Sequence, residues 1–338
     1  MDIAKKIGLS DSQFCRMAVN VKMFLSNILG HAAERHYEKI LETKGIIFIK
    51  APTDTHYDYL VENKRCQVKR FESSSTNSNF IGVNLTKTHG DRSGADAFYK
   101  DTDFDKLILF DVGLLNYLDI DIKDIPKHPK YPKRLISHYK IKRATKLEGF
   151  DLDFLYTMKI KNQEFQNGIK SLKEKYNLND TSLLERCCNL SLNEIDSLFS
   201  QENFRLIVGA KGFGAEERLK ILLEKNNIQY KQNNDMYSKI DFWINHKRVQ
   251  VKIPNERANT ETHWGVKLHK SHGHGLGELC PADAFDILAL FVGDEKENNF
   301  IFVPMSNLDK YPANPKFLKR IAKIPKNKYK INDLSIFR

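Results

Sequence analysis

The sequence predicts an α/β protein of two tandem modules, each a mixed central sheet flanked by helices, joined by a helical segment. Three observations predict it. Most of one half of the chain recurs in the other, each copy opens on an amphipathic helix followed by a hairpin pattern, and the composition supports a core. Of 338 residues, 41% are hydrophobic and 11% aromatic, which argues against wholesale disorder. The balance of 54 Lys plus Arg against 43 Asp plus Glu leaves a net charge of +11, which favours a polyanionic partner. There is no apolar run of about 18 residues and no basic stretch leading into a long apolar one near the start. Neither a membrane span nor a secretory leader is expected, and the chain reads as cytoplasmic. Five cysteines, at 15, 66, 187, 188 and 280, form neither a metal-ligand ladder nor a disulfide framework.

The repeat is read from five blocks. AERHYEKILE at 33–42 returns as AEERLKILLE at 215–224, and DYLVENKRCQVK at 58–69 as DFWINHKRVQVK at 241–252. GVNLTKTHG at 82–90 matches GVKLHKSHG at 265–273, FDKLILF at 104–110 matches FDILALF at 285–291, and PKYPKR at 129–134 matches PKFLKR at 315–320. The offsets stay between 181 and 186 residues. A fixed offset over that span marks duplication of a structural unit. The expected organisation is 1–137 for N-terminal helices and the first module, 138–203 for a connector, and 204–338 for the second module.

Each module begins with a helix. Ala33, Tyr37, Ile40 and Leu41 form an apolar stripe in the first copy, and Ala215, Leu219, Leu222 and Leu223 in the second. Glu34 and Glu216 stand beside those stripes. A hairpin follows, from Asp58-Tyr-Leu-Val and Asp241-Phe-Trp-Ile through polar turns to Cys66-Gln67-Val68-Lys69 and Val249-Gln250-Val251-Lys252. Alternation puts Gln67 and Lys69 on one face and Cys66 and Val68 on the other. Later strands are expected at 81–86 and 106–112, and at 264–268 and 287–292. The connector opens basic and turns helical, with Ser191 and Glu194 spaced as a helix cap. Its helices are expected to pack rather than to read a groove. LSDSQF near the start echoes LNDTSL at 178–183.

The repeated polar set is Glu34, Asp58, Gln67 and Lys69, echoed by Glu216, Asp241, Gln250 and Lys252. Asp to Gln is nine residues and Gln to Lys two in both copies. An Asp at one strand's start and a Gln on its neighbour can converge on a hard cation such as Mg²⁺, with Mn²⁺ a substitute. A Lys two residues on can orient a water or offset charge on a phosphate. A solvated helix face or a sheet-edge ion pair would explain one copy; two copies in register favour chemistry. The Gly-rich run at 208–214 lacks a Gly-Lys-Ser/Thr ending and is not read as a phosphate loop.

Asp…Gln-x-Lys after a helical Glu resembles the core motif of the PD-(D/E)XK nuclease superfamily, in the variant with Gln for the second acid. The resemblance covers about two thirds of the chain. It implies restriction-endonuclease-like modules and metal-dependent hydrolysis of DNA. Its metal ligands would be Glu34, Asp58, Gln67, Glu216, Asp241 and Gln250, with Lys69 and Lys252 completing the sites. The usual Pro before the Asp is missing; Asp54 and Asp235 lie nearby, and Asp58 and Asp241 are preferred. Two sites in one chain most resemble a type II restriction endonuclease acting on double-stranded DNA as a monomer. The alternatives are a structure-specific, repair or homing nuclease, or a non-catalytic DNA-binding protein. Lys87, His89, Arg92, Arg257, Lys270, His272 and His274 are candidate DNA contacts, as are Lys130, Arg134, Lys316 and Arg320 in the two basic patches.

Overall fold

The computed structural model describes residues 1–52, 55–70, 80–86, 98–110, 117–142, 162–200, 203–233, 238–268, 279–294 and 297–338. They form two compact units, Ala18–Leu206 and the segments Met1–Met17 with Ile207–Arg338.

In the unit Ala18–Leu206, helix Lys22–Thr43 buries Phe24, Ile28, Ala32, Ala33, Tyr37 and Leu41 at helical spacing. Ile40, expected on this stripe, is only half-buried. The helix ends at Gly45, whose φ of +65° lets Ile46 N donate to Leu41 O at 2.9 Å and Gly45 N to Glu42 O at 3.1 Å. Six strands follow: β1 (Phe48–Lys50), β2 (Tyr59–Val61), β3 (Lys64–Arg70), β4 (Phe80–Asn84), β5 (Lys106–Phe110) and β6 (Tyr117–Asp121). All but β4 form one sheet, ordered β1-β2-β3-β5-β6 and antiparallel except at β3–β5. The β2–β3 turn has Glu62 and Asn63 both at positive φ, the twist-matched two-residue hairpin. β7 (Lys127–His128) and β8 (Tyr131–Leu135) form a short hairpin, and β9 (His138–Lys142) pairs with β4. Leu107 and Leu109 of the sheet pack with Val83, Leu85, Tyr99 and Leu135.

The connector's helices, Asn162–Tyr176, Asp180–Cys188 and Leu192–Ser197, belong to this unit. They pack, as expected. His36 Nε2 meets the Cys188 carbonyl at 2.9 Å, and Phe24 lies 6.2 Å from Phe199 between ring centroids. Ser191 and Glu194 form both arms of a capping box. The echo between 9–14 and 178–183 is two helix starts: Gln13 N donates to Ser10 Oγ at 3.2 Å, and Ser182 N to Asn179 Oδ1 at 2.8 Å.

The other unit repeats the plan. Helix Phe204–Lys225 is followed by β10 (Tyr230–Gln232), β11 (Phe242–Ile244), β12 (Lys247–Lys252), β13 (His263–Lys267), β14 (Ile287–Phe291) and β15 (Phe300–Pro304), then β16 (Lys310–Tyr311), β17 (Asn314–Leu318) and β18 (Ile321–Pro325). The sheet order is β10-β11-β12-β14-β15, with β12–β14 its parallel pair, and β13 pairs with β18. Three layers result. Val249 and Val251 pack toward Ala215, Leu219 and Leu223 of the helix, while Leu288 and Leu290 face Val266, Ala322 and Ile324 of the β13–β18 ribbon. The glycines at 209–214 lie inside a continuous helix, and an added Cβ at Gly214 would meet the Ile7 side chain at 3.1 Å. Arg218, 2% exposed, stacks 4.6 Å from the Phe291 ring centroid and donates to the Ile7 carbonyl.

The basic patches PKYPKR and PKFLKR were matched at an offset of 186, but the strands pair at 183: Lys127 with Leu135 as Lys310 with Leu318, and His128 with Tyr131 as Tyr311 with Asn314. Lys316 therefore corresponds to Lys133, Arg134 to Phe317, and Arg320 to Ser137. The shared Pro-Lys dipeptides misled the alignment because the turns between paired strands differ in sequence. Among the described residues, no helix is long and apolar enough to cross a membrane.

Candidate active site

Asp58 stands one residue before β2, where its N–H donates to the Cys66 carbonyl at 2.9 Å. Its carboxylate Oδ2 accepts the Val68 N–H at 2.7 Å. Asp241 is held in the same way: its N–H donates to Val249 O at 2.9 Å, and its Oδ2 accepts the Val251 N–H at 2.7 Å. The hairpin thus clamps the Asp side chain of each module to the backbone beside the Gln.

In the first module the sequence-derived set comes together. Gln67, 5% exposed, donates from Nε2 to Asp58 Oδ2 and to the Val68 carbonyl. The Tyr99 hydroxyl donates to Gln67 Oε1 at 3.5 Å, the long end of hydrogen bonding. The Lys69 Nζ lies 5.8 Å from the Tyr99 ring centroid. Glu34 comes from the helix, with His31 Nδ1 at 3.4 Å from its Oε2. Burial, and then the Glu34 carboxylate, push the Asp58 pKa up to about 7 against the pull of Lys69 and the Val68 N–H. Burial disfavours the Lys69 charge, but Tyr99, Asp58 and Glu34 outweigh it and hold its pKa above the ordinary lysine value.

The second module keeps the residues and changes their surroundings. Gln250 is fully buried, and among the described residues neither its Oε1 nor its Nε2 has a hydrogen-bond partner. Lys252 ends β12 two residues on, and Glu216 is half-buried on helix Phe204–Lys225. Cys280 occupies the place of Tyr99, and its thiol turns to the Pro281 carbonyl at 3.7 Å. The Nζ of Lys239, at the position of His56, is buried without a partner.

Sequence reasoning missed Tyr99 and His31, because neither recurs: Cys280 and Phe213 stand at their counterparts. Of the other candidates, Arg257 is exposed on a turn over β13, Lys130 and Lys316 are exposed on the β7–β8 and β16–β17 hairpins, Arg320 is exposed, and Arg134 is half-buried in β8. Lys87, His89, Arg92, Lys270, His272 and His274 lie outside the described residues, as do Asp54 and Asp235.

Among the described residues, no group of three or more His, Cys, Asp or Glu side chains is arranged to hold a metal. In the first module two carboxylates and an amide come together. That suits a cation such as Mg²⁺, which takes one or two carboxylates and keeps several waters. The unpartnered Gln250 amide fits such a ligand, since a buried polar group without a partner is costly.

No family model matches the chain, and no curated protein matches it. Among solved structures, the chain is similar to a bacterial homing endonuclease, I-Ssp6803I, at 14% identity and a TM-score of 0.26, over 44% of this chain and 93% of that one.

Proposed function

We propose that the protein is a metal-dependent DNA endonuclease with one hydrolytic site in each module. The observation that carries this reading is the duplicated clamp. Two hairpins fix an Asp carboxylate on the backbone beside a buried Gln, with a Lys two residues farther along the same strand face. A purely structural ion pair has no need of a buried amide on both occasions.

Glu34, Asp58 and Gln67 would hold Mg²⁺ in the first module, and Glu216, Asp241 and Gln250 in the second. Such an ion, when bound, polarises a phosphoryl oxygen and makes its water a better nucleophile. The chain's own residues do the rest. The Val68 and Val251 N–H groups fix the carboxylates, and the Lys69 and Lys252 ammonium groups offset the charge that grows on the phosphate. Water oxygen forms the new P–O bond as its proton passes to solvent, one ester P–O bond breaks with its electron pair leaving on the departing oxygen, which takes up a proton, and no enzyme-bound intermediate forms. The basic surface, with a net charge of +11, holds the phosphate backbone.

The test is a supercoiled-plasmid time course with Mg²⁺ and then with EDTA. Cutting should require the metal. Lys69→Ala and Lys252→Ala should each leave a nickase, slowed at one site by roughly two to four orders of magnitude, and the double variant should bind without cutting. Metal-independent cutting, or both cuts lost in either single variant, would overturn two independent sites. DNA binding without cutting by the unaltered chain would leave a binding protein on this fold. Sequencing the ends of digested genomic DNA decides the target. One repeated short site is the restriction outcome, whereas cutting confined to branched or long rare targets is the repair or homing outcome.

A further inference from the structure

The two modules share a donor set but differ in what steadies it. Tyr99 is 6% exposed, set edge-on to Phe104 at 5.4 Å and to His56 at 6.5 Å between centroids, so its ring has little room to turn. From there its hydroxyl reaches Gln67 Oε1, and Lys69 Nζ lies 5.8 Å from its ring centroid. With Nε2 engaged by Asp58 and the Val68 carbonyl, the Gln67 amide is restrained at both ends.

Among the described residues, the second module shows no hydroxyl on the Gln250 amide. The bridges Lys100–Arg134 and Pro281–Phe317 mark Cys280 as the counterpart of Tyr99. A cysteine is too short to span to the Gln, and this thiol faces the Pro281 carbonyl. Gln250 is left with both amide atoms unpartnered in a fully buried position, and Lys239 with an unpartnered Nζ. Those groups find partners only when something polar enters.

We propose that Tyr99 is a positioning residue of the first site alone, so that this site is ordered before DNA arrives, the second orders on binding, and the first module's strand is cut first. The inference rests on the nuclease reading. A site already in its working geometry loses less to reorganisation at the moment of reaction. The second amide gives up its unmet hydrogen bonds only with ligand in place. Nicked DNA is therefore a true intermediate with its nick in one defined strand.

The experiment uses the full chain and a short duplex carrying a mapped target, with each strand labelled separately. One strand should be cut ahead of the other, and Lys252→Ala should leave that faster cut. Tyr99→Phe, which keeps the buried ring and removes the hydroxyl, should lower kcat for the fast strand about tenfold, the scale of one lost contact, with KM unchanged. The slow strand should be unaffected, and Cys280→Ala should change neither. Equal cutting of the two strands, or Tyr99→Phe slowing both or neither, overturns the proposal. A second arm does not depend on cutting. With selective ¹⁵N-glutamine labelling, and signals assigned through Gln67→Leu and Gln250→Leu, Tyr99→Phe should shift the Gln67 side-chain amide and leave that of Gln250. If neither strand is cut, the nuclease reading falls by itself. The amide arm then decides the positioning role, which an unmoved Gln67 signal refutes.

Discussion

Two carboxylates and an ammonium crowd the first site, and burial decides which charge the fold tolerates. The Asp58 carboxyl, ordinarily near 3.8, is carried to about 7. Between those values the folded protein holds a proton that the unfolded chain has released. Asp58 therefore adds stability that is full below about pH 4 and is lost as pH rises through 7. Asp58→Asn keeps an acceptor for the Val68 N–H and removes the buried charge. In EDTA at pH 8 it should raise Tm by a few degrees over the unaltered protein, with the gain shrinking toward pH 4. A lower Tm at pH 8 would show that Lys69 needs the charge more than the fold suffers from it. At this scale the sequence disclosed Asp58, Gln67 and Lys69 because they recur. Tyr99 and His31 left no such trace, since chemistry that belongs to one copy cannot be seen by comparing two.

Recurrence also selects residues that only hold the elements together. Arg65 donates from its backbone N and from Nε to Asp105 Oδ2, at 2.8 and 3.0 Å, and Arg248 meets Asp286 likewise at 2.7 and 3.2 Å. These pairs tie each hairpin to the parallel strand beside it. The Arg lies in the repeated hairpin block and the Asp in the repeated FD block, yet no sequence argument separates this brace from a site. The hairpins and helix stripes were legible because their patterns are local. The β4–β9 and β13–β18 ribbons were not, because each strand's partner lies some 60 residues away and no local pattern names it. Gly265 shows how tightly one ribbon is covered: an added Cβ would stand 2.3 Å from the Ala258 carbonyl oxygen. Gly265→Ala should push away the turn that carries Arg257, at about 1–3 kcal/mol, the usual range for overpacking. Urea unfolding measures the loss, and an unchanged midpoint would mean that the turn moves freely.

At the scale of the whole chain, the sequence showed two modules but not how the first residues are used. Met1–Met17 is part of the unit that contains Ile207–Arg338, with Ile3, Ala4, Ile7 and Leu9 buried and Arg16 paired to Glu217 at 2.7 Å. Nothing in a local pattern says which of two similar helices a short amphipathic segment will cover. Removing residues 1–17 should speed hydrogen exchange through helix Phe204–Lys225 and leave the β2–β3 hairpin as protected as before. Faster exchange in both would mean that the segment stabilises the chain generally.

That arrangement sets an order of events during synthesis. Residues 1–17 leave the ribosome well before their partners, from Ile207 onward. Until then Ile3, Ile7 and Leu9 have nothing to cover, while Ala18–Leu206 is already complete and free to fold. The second module waits for residues 207–338 to emerge, and closing a loop of that length makes its assembly the later step.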